Sequence, residues 1–526
     1  MKYVRMFSMI LFGSAFLVII GCEDNAENNM APTDISLSGT TVQENQPALT
    51  SVGNLSVTDP DVGDKHDWNL TNDANGSFVI VGNILKTAVE FDFEMTNEYK
   101  ISIQVTDNAG ESFSKEFTIT VTDEGEILVN RISGDLNADV TWKKEDQHIL
   151  EGQTFVKSGA TLTIEAGTTI YAESDDGNGL APAIVIEQGA KIMAIGTKSE
   201  PITFTSILEM TEDGRALLPL RGTWGGLIIL GKAPISVTGG SANVEGVEGK
   251  PYGGNDPDDN SGSLEYVRVW YGGRSIGQDN EINGITFAGV GRGTTVRYCE
   301  VAYNLDDGFE MFGGTVDLKY CSVIGVGDDA YDVDQGYQGR GQFLFAKVLA
   351  DAGNRAYEMD SKTNGDLDSA PRSHPVFYNV TLVGPGGAVA AENDQMARLR
   401  EGLGGEFGNH IIYNGKEYGV RNSDNGSETV TQDLSSVSGS YPNYLYWSKN
   451  NVVHKMGTAL FKGFPSDFTS LDEDTGISVD SYLPTAGGPA YNAVDPVPSD
   501  SFFDSVNFKG AFDTENWLSG WSITDK

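Results

Sequence analysis

Between Tyr298 and Val333, in "YCEVAYNLDDGFEMFGGTVDLKYCSVIGVGDDAYDV", one pattern is written twice at a step of 22 residues. Tyr298-Cys299 returns as Tyr320-Cys321, Asp306-Asp307 as Asp328-Asp329, and Phe309-Glu310 as Tyr331-Asp332. A period of this length, with Gly and Asp turns between short apolar runs, marks a solenoid whose repeats bury their apolar faces only against each other. A right-handed parallel β-helix satisfies it: each coil holds about three short strands, and equivalent residues of successive coils stack about 4.8 Å apart.

The surrounding chain carries the same texture. "ATLTIEAGTTIYA" and "AIVIEQGAKIMAIG" share an Ile-Glu-x-Gly-x-x-Ile core, and short β-branched or aromatic runs such as "GGLIILGKAPI", "LEYVRVWYGG" and "VFYNVTLVG" follow. Arg355-Ala356-Tyr357-Glu358 is a third copy of the motif, 26 residues beyond the second, so one turn has grown. Stacked coils predict an aromatic column of Phe309, Tyr331 and Tyr357. They also predict that Cys299 and Cys321 sit one above the other, as a buried free-thiol pair rather than a disulfide.

The same register builds an acid ladder from Asp306, Asp307, Glu310, Asp328, Asp329, Asp332 and Glu358. Carboxylates about 5 Å apart repel by roughly 3 kcal/mol at an effective dielectric near 20. Three readings stay open: turn acids splayed into water, a bound cation, or a catalytic carboxylate set. Solvated acids are the first expectation and a cation the second.

The 526 residues imply more than one ordinary core, and the net charge of −40 repels phosphate backbones, so nucleic acid is excluded as a partner. The five histidines are widely separated, and neither an HExxH zinc motif, a phosphate-cradling loop nor a Gly-x-Ser-x-Gly elbow beside a histidine is present.

Lys2 and Arg5 precede the apolar run "MFSMILFGSAFLVII", which ends in "VIIGC". This resembles a bacterial lipoprotein signal, with residues 1–21 removed, Cys22 lipidated and 22–30 a disordered tether. The resemblance implies a lipid anchor in the bacterial outer membrane. The acidic "EDNAEN" after Cys22 resembles a surface-export signal of Bacteroidota lipoproteins.

Residues 31–123 form a different module, with period-two strands such as "YKISIQVTD" and "SFSKEFTITVTD". Roughly seven such strands suit a Greek-key sandwich. Its acids gather at strand ends, where a hard cation with six to eight oxygen ligands offsets their repulsion. Their order, Glu44, then Asp59-x-Asp61, then Asp92-x-Glu94, then Asp107, resembles the calcium sites of cadherin repeats, and "APTDISLS" resembles their opening. The resemblance implies Ca²⁺ at a pole of Glu44, Asp92, Glu94 and Asp123, and a second pole of Asp59, Asp61 and Asp107. "VTDEGE" departs from the Asp-x-Asn-Asp-Asn linker of that family, and only one repeat is present.

Residues 124–526 form the β-helix domain. "GTWGGLIILGKAPI", "DDNSGSLEYVRVWYGG", "DDGFEMFGGTV" and "FKGAFDTENWLSGW" resemble a family of Bacteroidota surface or secreted β-helix proteins without a settled activity. The leading functional expectation is a lipid-anchored adhesin binding a glycan or a neighbouring surface through the β-helix. The alternative is a surface-tethered polysaccharide lyase or glycoside hydrolase. In it Asp306, Asp328, Asp332 and Glu358 hold a metal, and Arg340, Arg355 or Arg372 approach an acidic sugar.

Overall fold

The computed structural model describes residues 29–125, 127–274, 282–361, 369–387, 393–422, 445–464, 466, 468–478 and 481–526. Cys22, the proposed lipidation site, lies outside them. The chain is all-β and divides into two units, Met1–Glu126 and Ile127–Lys526.

The first unit is a sandwich of eight strands: β1 (Asp34–Leu37), β2 (Thr41–Gln43), β3 (Ser51–Thr58), β4 (Asp67–Asn72), β5 (Phe78–Val81), β6 (Ile84–Thr87), β7 (Glu98–Thr106) and β8 (Ser112–Thr122). One sheet runs β1-β3-β6-β5 and the other β2-β8-β7-β4. There is one strand more than expected because "FVIVGNILKT" folds back as the β5–β6 hairpin, with Gly82 at φ +65° in its turn. The alternation seen in the sequence is realised in β7, where Ile101, Ile103 and Val105 point into a core with Ile35, Leu85 and Phe91.

In the second unit every strand pair of the large sheet system is parallel, so the chain winds as a β-helix. The 22-residue step is one coil. Phe309–Phe312 pairs with Tyr331–Asp334, which pairs with Tyr357–Met359, and Gln395–Leu399 follows. Successive side chains of a strand point to opposite faces, so Phe309, Met311, Tyr331, Val333, Tyr357 and Met359 fill the interior while Glu310, Asp332 and Glu358 face out. Phe309 and Tyr331 stack at 5.5 Å. Tyr357 meets Tyr331 edge-on at 5.9 Å. Cys299 and Cys321 are free, buried neighbours.

After the last coil the chain returns over the β-helix with little regular structure. Asn409 clasps the backbone of Asp495 at both ends, Asn379 donates to the Phe508 carbonyl, and Arg268 donates to the Trp521 carbonyl. Glu300, wholly buried, accepts from Trp270 Nε1, Ser322 Oγ, Ser522 Oγ and the Ile523 N–H.

Candidate functional site

Parallel pairing in register places like beside like, and on this face it places acid beside acid. Glu310 pairs with Asp332 and Asp332 with Glu358, while the turn before each strand adds Asp306-Asp307 and Asp328-Asp329. Carboxylate oxygens of Asp306, Asp307 and Asp328 converge within 4.8 Å, and so do those of Asp307, Glu310 and Asp332. The expectation of acids splayed into water does not hold for three of the seven. Asp307 and Glu310 are each 7% exposed and Asp329 1%, whereas Asp306, Asp328, Asp332 and Glu358 are half-buried.

Protein donors meet part of the cost. Asp307 Oδ1 accepts the Asp329 N–H at 2.8 Å, Asn283 donates to Glu310 Oε2, and Arg355 bridges Asp329 (3.0 Å) and Glu358 (2.5 Å). Glu358 also meets Arg400 at 2.7 Å and Arg398 at 3.3 Å, while Arg400 grips Asp360 with two bonds. The environments separate the acids into two classes. Burial, and then the neighbouring carboxylates, push Asp307, Glu310 and Asp332 well above the carboxylate range. Asp329 is raised by burial and Glu358 despite Arg355, and Asp334 is pushed up to about 6 by burial. Burial acts on Glu358 too, but the Asp329 hydrogen bond and Arg355, Arg400 and Arg398 outweigh it and hold its carboxyl below the usual range.

Of the arginines expected near the ladder, Arg355 is in it. Arg340 is paired to Asp317 and Asp500, and Arg372 donates to the Gly402 carbonyl. Arg398 and Arg400 were missed. Their signal was the alternation in "QMARLR", the next strand of the same column, hidden by the 40 residues between Glu358 and Arg398.

The cadherin-like unit brings Glu44, Asp92 and Glu94 within 4.8 Å of one another. Glu44 is buried and accepts the Phe93 N–H (2.6 Å) and the Glu124 N–H (2.8 Å). Although its own backbone N–H favours the charged form, Glu94 is raised by desolvation and by Glu44, Asp123 and Asp92, so Asp123 joins this pole. The crowded carboxylate oxygens of this pole suit a hard cation. At the other pole Asp64, not Asp61, converges with Asp59 and Asp107. Asp61 turns away to accept the Met30 N–H at 2.7 Å. Asp59 is bonded to His66 at 2.8 Å, and Asp107 accepts Asn29 and the N–H groups of Ala109, Gly110 and Glu111. That pole is largely satisfied by protein donors.

The family model described as a pectate-lyase like beta helix domain matches residues 134–477, and a cadherin domain matches residues 39–122. Among solved structures, protocadherin gamma B7 extracellular domains 1–4 is 23% identical, over 20% of this chain and 31% of that one, with a TM-score of 0.16. Drosophila N-cadherin domains 1–3 is 21% identical, over 21% and 41%, also at 0.16. The family 28 exopolygalacturonase of Yersinia enterocolitica is 9% identical, over 84% and 98%, at 0.17. The chain thus spans under half the length of these cadherin structures, and no curated protein matches it.

Proposed function

The chain belongs to the pectate-lyase like β-helix family, and from its acid ladder we propose that the β-helix unit is a glycoside hydrolase of the retaining kind. One observation carries the reading: Asp332 and Glu358 are paired in register on adjacent coils, the first pushed well above the usual carboxylate range by burial and neighbouring acids, the second held below it, against burial, by the Asp329 hydrogen bond and three arginines. Environments that drive two carboxyls apart assign acid and base, and in-register pairing on coils about 4.8 Å apart sets both on one face of the β-helix. Asp332 protonates the leaving glycosidic oxygen while the Glu358 carboxylate attacks the anomeric carbon, forming a covalent glycosyl ester. Water, deprotonated by Asp332, then cleaves that ester and restores both groups. Arg355, Arg398 and Arg400 keep Glu358 charged at rest.

The test is incubation of the full chain with a panel of glycans. New reducing ends, lost in Asp332→Asn and Glu358→Gln, are expected, with a glycosyl adduct on Glu358 by mass spectrometry. Ultraviolet-absorbing unsaturated products, dependent on calcium, would establish a lyase instead.

A second reading is adhesion, favoured by the cadherin match and the Glu44–Asp92–Glu94 cluster. In it a calcium-bound cadherin-like unit and a Cys22 lipid anchor display the β-helix at the outer-membrane surface to hold a glycan uncleaved. Retained glycan with no product after long incubation would favour it.

A further inference from the structure

One corner of the β-helix carries a second column, absent from the acid ladder. Tyr266, Tyr298, Tyr320, Phe343, Asn379 and Asn409 occupy it on successive coils, all at positive φ between +49° and +57°. Asn tolerates this left-handed backbone, whereas a bulky residue there is an outlier that costs energy. The two asparagines have a structural reason to be there, since both tie down the C-terminal segment. The tyrosine rings pack edge-on against the same segment, Tyr266 on Trp521 and Tyr298 and Tyr320 on Trp517, but that leaves their polar ends unexplained: the hydroxyls of Tyr298 and Tyr320 bond to no described residue. Phe343, with no hydroxyl at all, keeps the same stack at 4.6 Å from Tyr320.

Those two tyrosines and Phe343 form one wall of a cavity of about 380 Å³, closed opposite by the C-terminal segment with Trp517 and three acids, Asp504, Asp513 and Glu515. That size falls in the roughly 300–1,000 Å³ range of small-molecule sites. We infer that this cavity is a binding site for an uncharged sugar, held by the tyrosine hydroxyls and the rim carboxylates, apart from the acid ladder.

The chemistry narrows the ligand. Tyr298 is sandwiched between Tyr266 (4.4 Å) and Tyr320 (4.6 Å), and Trp517 between Phe512 (5.4 Å) and Trp521 (6.3 Å). Their ring faces are taken, so an ammonium ligand finds no face to sit over. Three carboxylates repel uronates and sulfated sugars; of the three, Asp504 is paired with Lys319 and Asp513 accepts the Tyr491 hydroxyl. What remains is a ligand dense in hydroxyls, which accept from the phenols and donate to the acids.

The test uses the full chain and cellotetraose, xylotetraose and mannotetraose as probes, with tetragalacturonate and spermidine as charged controls, read by saturation-transfer NMR and tryptophan fluorescence. At least one neutral probe is expected to bind, and Tyr298→Phe/Tyr320→Phe to weaken it at least about tenfold, the scale of one to two lost hydrogen bonds. The ring stack survives that change, as Phe343 shows, so an unaltered melting temperature separates lost binding from lost fold. The double variant is expected to release reducing ends from glycans as the wild type does, which distinguishes this site from the acid ladder of the hydrolase reading. No binding of any neutral probe at about 10 mM, equal binding by the double variant, or preference for spermidine or tetragalacturonate would each overturn the inference.

Discussion

The fold favours the protonated form of the Glu310 and Asp332 carboxyls, and this has a consequence for stability. Burial and neighbouring acids raise both, together with Asp307 and Asp329, above their unfolded values. A raised folded pKa contributes stability that is complete below the unfolded value, about 4, and is lost as pH rises through the folded value. The β-helix unit is therefore expected to melt at a higher temperature at pH 5 than at pH 8, and Glu310→Gln to flatten that slope. Glu358 works in the opposite direction: its depressed carboxyl stabilises above about pH 4 and loses that effect as pH falls through its folded value. A melting temperature that rises from pH 5 to 8 would show that a bound cation, not protons, offsets the ladder. At this scale the sequence was partly legible. The repeat placed Asp307, Glu310, Asp329, Asp332 and Glu358 together, but their burial follows from packing between coils, which no local pattern reports.

Among the elements, the loops at the Glu44 pole of the cadherin-like sandwich are where a ligand has most to add. Glu44, Asp92 and Glu94 are held within 4.8 Å while Glu94 lacks a cationic partner among the described residues. For residues 31–126, calcium at a hundredfold excess over Kd is expected to add about 2.7 kcal/mol, with Asp92→Ala removing most of the gain. Calorimetry with and without EDTA checks it, and a melting point indifferent to both would reduce these acids to turn residues. The order of the acids in the sequence was enough to find this pole. At the other it did not single out Asp64, because Asp61 and Asp64 lie in one turn and only the backbone path decides which carboxylate converges with Asp59 and Asp107.

Across the whole molecule, the C-terminal segment locks coils that lie far before it in the chain. Glu300 takes two of its hydrogen-bond donors from Ser522 and Ile523, more than 200 residues away. Ser522→Ala is expected to cost about 1–3 kcal/mol, the price of under-bonding a buried acceptor, read as a lower denaturant midpoint. Anchoring belongs to this scale too: Cys22→Ala is expected to move the protein from the membrane fraction to the soluble one, and unchanged fractionation with no acyl mass on Cys22 would refute the lipoprotein reading. The amino-acid sequence by itself determined the coil, the columns of like residues and the two-unit organisation. A repeat of 22 residues is local information, and parallel in-register pairing turns equal spacing directly into contact. Only the tertiary structure decided which acids are buried, that Arg398 and Arg400 clamp Glu358 across an inserted turn, and that the last residues return to Glu300. Those contacts join segments 40 to 223 residues apart, where closing the loop depends on everything folded between them and leaves no period to read.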